Sequence, residues 1–458
     1  MFEIVPIDTP TLGDRSYLVH DGCVAFVIDP QRDIDRVLQL AGSLGVVIRD
    51  VFETHMHNDY VTGGRALANA TGATYHVNAD DPVKFERHPL SDGDVVEVSP
   101  TLSVKAVATP GHTYTHLSYA LTVEGTPVGV FTGGSLLYGS TGRPDLLGAD
   151  HTDALVHAQY RSAHRLAREL PDEVDVFPTH GFGSFCSATQ TEATSSTIGK
   201  ERKTNPALTQ DEQRFVDDLL AGLDAYPAYY AHMAAANLAA PSSAPDLALP
   251  TLASADQLRQ RVEAGEWVVD LRTRTAFAAG HLAGALNFGL DGQFATYLGW
   301  MIPWGTALTL LGDSAEQVAE AQRELVRVGI DRPAAAATGS AEQWSGGAPL
   351  VTLGRGTFTD LVAARRARDV VVLDVRRDME WDDSHVVGAV HIPLQELIGR
   401  AHEVPAGEVW VHCAGGYRAS LAASVLAANG RTVVAVDDEF ANASGAGIYI
   451  VTDEKAAA

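Results

Sequence analysis

The chain has 458 residues, enough for two to four domains that each bury a core, and its 46% hydrophobic content is that of a globular protein. Its 33 Lys and Arg stand against 58 Asp and Glu, a net charge of −25 that argues against nucleic acid or an anionic membrane surface as partner. No apolar run reaches the ~18 residues of a membrane-spanning helix, and the opening Met1-Phe2-Glu3-Ile4-Val5-Pro6 lacks the features of a signal peptide, so a cytoplasmic location is expected. Cys23, Cys186 and Cys413 have neither metal-ligand nor disulfide spacing, which suits a reducing compartment.

Ser16 to Val19 and Cys23 to Ile28 read as paired strands turning at Asp21-Gly22, which makes Cys23 a buried structural thiol. Asp33 to Leu44 has helical periodicity, and the apolar run Val46 to Phe52 reads as a buried strand. At its exit stands Thr54-His55-Met56-His57-Asn58-Asp59-Tyr60, whose alternating side chains can converge on a metal if the segment is held extended. Three later strands also end in distinctive loops. Thr109-Pro110-Gly111-His112 follows Leu102 to Ala108, Phe131-Thr132-Gly133-Gly134 closes another strand, and Pro178-Thr179-His180-Gly181 follows Val174 to Phe177. His116, four residues past His112, reads as a core histidine rather than a substrate contact, and Cys186, six past His180, as a packed thiol.

Together these stretches resemble the metallo-β-lactamase superfamily over roughly residues 1 to 190, which implies an αββα sandwich with metal at one edge of the paired sheets. Two departures stand out. Tyr60 occupies the place of a histidine that serves a second metal, and Gly134 the place of a bridging or iron-binding aspartate, so a standard binuclear zinc site is not expected. What remains is a three-imidazole face of His55, His57 and His112, with Asp59 and His180 nearby by the family's geometry. It suits a single ion, zinc or iron(II). From Gly133 to Leu147 the likeness narrows to persulfide dioxygenases and glyoxalase II, the first of which implies iron(II) in preference to zinc; by that likeness Arg143 either holds a substrate carboxylate or pairs with Asp145.

Thr194 to Asn237 is helical in composition, with an apolar stripe through Phe215, Leu219, Leu220 and Leu223, and is expected to close over the metal domain. The expected boundaries are residues 1–240 for this domain with its extension, 241–250 for a linker rich in Ala, Pro and Ser, and 251–348 and 349–458 for two repeated modules. The repeat is explicit: Asp270 and His281 recur as Asp374 and His385, at one offset (374 − 270 = 385 − 281 = 104). Strands alternating with helical stretches imply small α/β domains with parallel sheets.

The modules resemble the rhodanese family. The second carries the active pattern, Cys413-Ala414-Gly415-Gly416-Tyr417-Arg418, after the strand Val409 to His412. Small residues let backbone N–H groups, with the positive end of the following helix, surround a thiolate or a persulfide. Cys413 is then the nucleophile, Arg418 orients loop or donor, and Gly415, Gly416 and Tyr417 contact substrate. In the first module the same positions hold Thr309 and Ser314, so it reads as a spacer or docking unit, with Asp270, Arg272, Asp374 and Arg376 bracing the folds. Overall the chain resembles persulfide dioxygenase and rhodanese fusions, which implies a small-molecule persulfide or thiol as substrate, with a homo-oligomer left open. The alternatives are a zinc-dependent, glyoxalase II-like thioester hydrolase fused to a sulfurtransferase, and a metal-free sulfur carrier or docking protein.

Overall fold

A computed structural model describes residues 2–189, 191 and 193–452. The chain forms two compact units, Met1–Asp246 with Leu325–Gly329, and Leu247–Glu324 with Ile330–Ala458. In the first, β1 (Glu3–Thr9), β2 (Asp14–His20), β3 (Val24–Ile28), β4 (Val47–Phe52), β5 (Thr74–Asn78) and β6 (His88–Leu90) form one sheet in chain order. A second sheet holds β7 (Val95–Glu97), β8 (Leu102–Ala108), β9 (Leu117–Val123), β10 (Thr126–Gly133), β11 (Asp175–Pro178) and β12 (Ser196–Thr197), again neighbour to neighbour.

Strand alternation explains the layers. In β3, Phe26 and Ile28 face the other sheet and pack with Phe52, Tyr119 and Phe131. Ala25 and Val27 face outward and meet Val37 and Ala41 of the helix Asp35–Leu44 and Leu67 of the helix Gly64–Thr71. Val130 and Val176 on the outer face of the second sheet pack against Val156, Ala163 and Leu166 of the helix Ala149–Glu169. Both sheets are thus covered on both faces, which is the αββα sandwich. Cys23 corrects the expectation of a buried thiol: it is exposed, because Asp21 Oδ1 accepts the N–H groups of both Cys23 and Val24 at 2.9 Å and delays the strand by one residue.

The second unit contains two parallel sheets. One orders Leu286–Asn287, Trp267–Asp270, Leu308–Gly312 and Ala335–Thr338; the other orders Gly354–Gly356, Val433–Val436, Val409–His412, Val371–Asp374 and Val390–His391. The repeat shows in its fastenings. Arg272 forks onto Asp270 and donates to the Gly280 carbonyl at 2.9 Å, while Arg376 forks onto Asp374 and donates to the Ser384 carbonyl at 2.6 Å. Each clip fastens its strand's end to the C-terminal end of the helix that follows, at Gly280 or Ser384.

Asp374 is fully buried and Arg376 nearly so. Asp374→Asn strips a buried guanidinium of its counter-charge and is expected to cost about 3–5 kcal/mol. Urea unfolding of the full chain reads this as an earlier transition; an unshifted transition would refute the bracing role.

Candidate functional site

Four strand exits meet at one edge of the sandwich. β4 runs into the His55 loop, β8 into the His112 loop, β10 into Gly133-Gly134 and β11 into the His180 loop. His55, His112 and His180 each offer a ligand atom within 4.8 Å of the others, and all three are buried. Their tautomers follow from their remote nitrogens. His55 Nδ1 donates to Thr54 Oγ1 at 2.8 Å, since that hydroxyl's own hydrogen goes to Asp29 Oδ2 at 2.7 Å. His112 Nδ1 donates to the Arg143 carbonyl at 2.9 Å, and His180 Nδ1 to Asp14 Oδ1 at 2.9 Å. Each pattern leaves Nε2 facing the centre, with its remote nitrogen anchored as in metal-ligating histidines. His112 Nε2 is buried with no partner, and the Nε2 atoms of His55 and His180 stand 3.3 Å apart. The donor set fits a cation.

The converging trio is therefore His55, His112 and His180, not His55, His57 and His112. His57 turns Nε2 away, toward Glu53 Oε2 at 3.2 Å, Asp29 Oδ1 at 3.4 Å and the Tyr60 hydroxyl at 3.0 Å. Burial alone would depress it, but Asp29 and Glu53 outweigh that and raise it to about 9, so it is an imidazolium. His57 still belongs to a second group with Asp59 and His180, and its Nδ1 is buried without a hydrogen-bond partner. Asp59 Oδ2, however, lies 3.2 Å from His180 Nδ1, behind the ring beside Asp14. Burial again opposes protonation of His180, and Asp59 and Asp14 lift it to about 10, so a cation on Nε2 would have to displace a proton there. Burial lowers His112 to about 3 and holds His55 well below its usual value, so both stay neutral.

Gly134 does more than lack a carboxylate. A Cβ there would lie 2.3 Å from His112 Cδ2, so the ring fills the space such a side chain would need. Gly111 is equally constrained, because a Cβ would meet the Gln159 backbone at 2.5 Å. His116 is a satisfied core residue, with Nδ1 on Thr109 Oγ1 at 2.9 Å and Nε2 accepting from Gly134 N–H at 3.1 Å. Arg143 is buried and spoken for: it forks onto Asp145 at 2.7 Å and donates to the Asp224 carbonyl at 2.6 Å. No face is left for a substrate carboxylate, and only its carbonyl touches the site. Cys186 is buried, its Sγ 3.7 Å from the Tyr230 hydroxyl.

Sequence reasoning missed the residues that hold these loops. Asp29 Oδ1 accepts Thr54 N–H at 2.7 Å, and Oδ2 accepts the hydroxyls of Thr54 at 2.7 Å and Thr179 at 2.5 Å. Asn237, in the helix Tyr230–Ala239, donates to the carbonyls of His57 at 2.7 Å and Tyr60 at 2.8 Å and accepts from Thr62 N–H at 2.8 Å.

In the second unit, Cys413 is buried at the end of Val409–His412, and its Sγ accepts N–H groups from Gly416 at 3.1 Å and Ala419 at 3.4 Å. Gly416 takes φ +91°, which turns its N–H inward ahead of the helix Tyr417–Ala428. Arg418 points at Glu380 through two bonds of 2.6 and 2.7 Å, a partner the sequence did not disclose. Burial opposes ionisation of Glu380, but Arg418 holds it down to about 2, so the pair persists at any working pH. Arg418 therefore shapes the loop. Tyr417 also departs from expectation: its hydroxyl donates to the Gly289 carbonyl at 2.8 Å, away from the sulfur. Gly415 lies against the exposed Glu439. The first copy corrects the expected correspondence: Asp270 pairs with Leu311 as Asp374 pairs with His412, so Gly312 stands where the second copy has Cys413, and Thr309 is buried three residues earlier inside the strand Leu308–Gly312.

Asp29→Asn is expected to destabilise the first unit by about 3–5 kcal/mol, since it leaves the His57 imidazolium without its strongest partner. Thermal unfolding checks this, and a melting temperature equal to wild type would contradict it.

A model of the rhodanese-like domain matches residues 254–346 and 357–444. A hydroxyacylglutathione hydrolase of Pseudomonas entomophila is 30% identical over 210 residues, 41% of this chain and 77% of that protein. The mitochondrial persulfide dioxygenase ETHE1 of Homo sapiens is 29% identical over 219 residues, 47% of this chain and 77% of that protein. Among the matched hydrolases, the share of the relative's length spanned falls as low as 47%. The crystal structure of a metallo-β-lactamase from Staphylococcus aureus subsp. aureus COL superposes with a TM-score of 0.66 at 27% identity, covering 74% of this chain and 99% of that one. No helix among the described residues is long and apolar enough to cross a membrane. The chain belongs to the family in which a metallo-β-lactamase-fold domain, related to hydroxyacylglutathione hydrolases and persulfide dioxygenases, is fused to two rhodanese-like domains.

Proposed function

We propose that the chain handles sulfane sulfur at two centres, transferring it through Cys413 and oxidising a low-molecular-weight persulfide at His55, His112 and His180. The observation that carries the reading is the cradle around Cys413, where two backbone N–H groups converge on one sulfur at a helix start. Such donors hold a thiolate and, after transfer, the terminal sulfur anion of a persulfide. With thiosulfate as donor, Cys413 Sγ attacks the outer sulfur, the S–S bond breaks, and sulfite leaves with the electron pair. An acceptor thiolate then takes that sulfur and restores the cysteine. The same Cys-x5-Arg outline serves cysteine phosphatases, but Arg418 is committed here to Glu380 rather than open to a phosphate.

At the other centre His55, His112 and His180 would hold the metal through Nε2, with Thr54, the Arg143 carbonyl and Asp14 fixing their rings. Iron(II) there supplies a redox-active site for dioxygen and the persulfide's terminal sulfur. Overall, one persulfide, one dioxygen and one water become one thiol, one sulfite and two protons. Asp14 and Asp59 orient His180 from Nδ1. The relatives named as hydroxyacylglutathione hydrolases support a second reading, in which zinc on the same imidazoles activates water against a thioester. Against it stands Gly134, which leaves no bridging carboxylate for two metals. A metal-free first domain serving Cys413 as a carrier is the reading to which an iron- and zinc-free protein would point.

Cys413→Ser is expected to abolish sulfane-sulfur transfer from thiosulfate while leaving oxygen uptake with glutathione persulfide within about twofold. Transfer that survives the substitution would reject Cys413 as nucleophile. In an oxygen electrode, the anaerobically prepared protein should consume dioxygen with glutathione persulfide and form sulfite. Thioester hydrolysis without oxygen uptake would favour the zinc reading instead.

A further inference from the structure

The first rhodanese-like copy has no nucleophile, yet it grips the element that carries the second copy's. Asn287 is buried and anchored in its own copy by bonds from Nδ2 to the carbonyls of Asp270 at 3.3 Å and Arg272 at 3.0 Å. From there its Oδ1 accepts the Ser420 hydroxyl at 3.0 Å, and its backbone N–H donates to Ser424 Oγ at 3.0 Å. Ser420 and Ser424 lie one turn apart on one face of Tyr417–Ala428, the helix whose start cradles Cys413. Tyr417, the first residue of that helix, reaches the Gly289 carbonyl. Its ring packs so closely on Gly292 that a Cβ there would lie 2.4 Å away.

A charged contact runs behind the loop. Arg274 Nε donates to Asp437 Oδ1 at 2.7 Å, and a Cβ on Gly416 would lie 2.4 Å from that same oxygen. Gly416 supplies the nearer of the two N–H groups on the sulfur. An unneutralised carboxylate at Asp437 would oppose a thiolate next to it. Arg274 answers it from the first copy and Arg355, at 2.8 Å, from the second. The other charges about the loop are less free to do so: Arg418 is committed to Glu380, Glu439 beside Gly415 is itself anionic, and burial lowers His412 to about 4 so that it stays neutral.

We propose that the first copy is the positioning half of the Cys413 site: Asn287 and the Gly289 carbonyl fix the first turns of the loop-bearing helix, and Arg274 holds and neutralises Asp437 behind Gly416. None of the three touches the sulfur; they act through the loop. The inference rests on the sulfurtransferase reading for its function, but its geometry can be tested without it.

The test uses the full chain and the rate of Cys413 alkylation by iodoacetamide, which is uncharged and so reports the sulfur's nucleophilicity rather than anion capture. Arg274→Gln is expected to slow alkylation about 3–10-fold and to lower kcat for transfer from thiosulfate to cyanide by a similar factor, with KM within about twofold. Adding Asp437→Asn should restore most of the alkylation rate, because the carboxylate beside Gly416 is then gone and only Asp291, which Arg274 also meets at 3.2 Å, loses its partner. Tyr417→Phe, which deletes one oxygen and its bond to the first copy, should slow alkylation in the same direction. Wild-type alkylation rates in both Arg274→Gln and Tyr417→Phe, with melting temperatures unchanged, would overturn the proposal. So would a double variant as slow as Arg274→Gln alone. A wild-type Cys413 that is alkylated but takes up no sulfane sulfur would overturn the sulfurtransferase reading instead, and the alkylation rates would then decide the positioning role alone.

Discussion

One buried carboxylate holds the metal-binding edge together. Asp29 stands at the end of β3 in a left-handed conformation, φ 50°, and accepts from Thr54 and Thr179 while facing His57. Thr54 precedes His55 and Thr179 precedes His180, so one side chain sets two of the three converging imidazoles. Its own charge is secured by those donors and by His57 against the cost of burial. The loops it joins lie tens of residues apart, and only the stacked sheets bring them to it.

The centre that results is not the one its fold usually carries. His112 occupies the space beside Gly134, Tyr60 stacks on His57 at 4.2 Å, and His57 is drawn into a pair of carboxylates. Histidine at position 180, backed by Asp14 and Asp59, completes the trio instead.

Much of this was legible in the sequence. Apolar strands ending in His, Gly and Thr announced a convergent edge, and the 104-residue offset with the intact Cys413 loop announced two copies of one module, of which the second carries the cysteine loop. The reading of His55 and His57 as one face assumed an extended segment with alternating side chains, whereas their rings lie 4.2 Å apart and join different groups around His180. Residues 53–60 instead form a loop outside any strand, and the electrostatic pull of Asp29 and Glu53 decides where His57 points. Asp14, Asp29, Asn237 and Glu380 were illegible for a common reason: each acts on a residue 25 or more positions away, and Asp14, for example, meets His180 across 166 positions. No local periodicity marks such a partner. Arg143 was ambiguous in sequence, and only its burial settled it.

The most direct test of the account is elemental analysis of protein purified without oxygen, compared with His180→Ala and His57→Ala. The account predicts about one transition-metal ion per chain in the wild type, lost in His180→Ala and largely kept in His57→Ala. A wild type without stoichiometric metal, or a metal that survives the loss of His180 but not of His57, would contradict it.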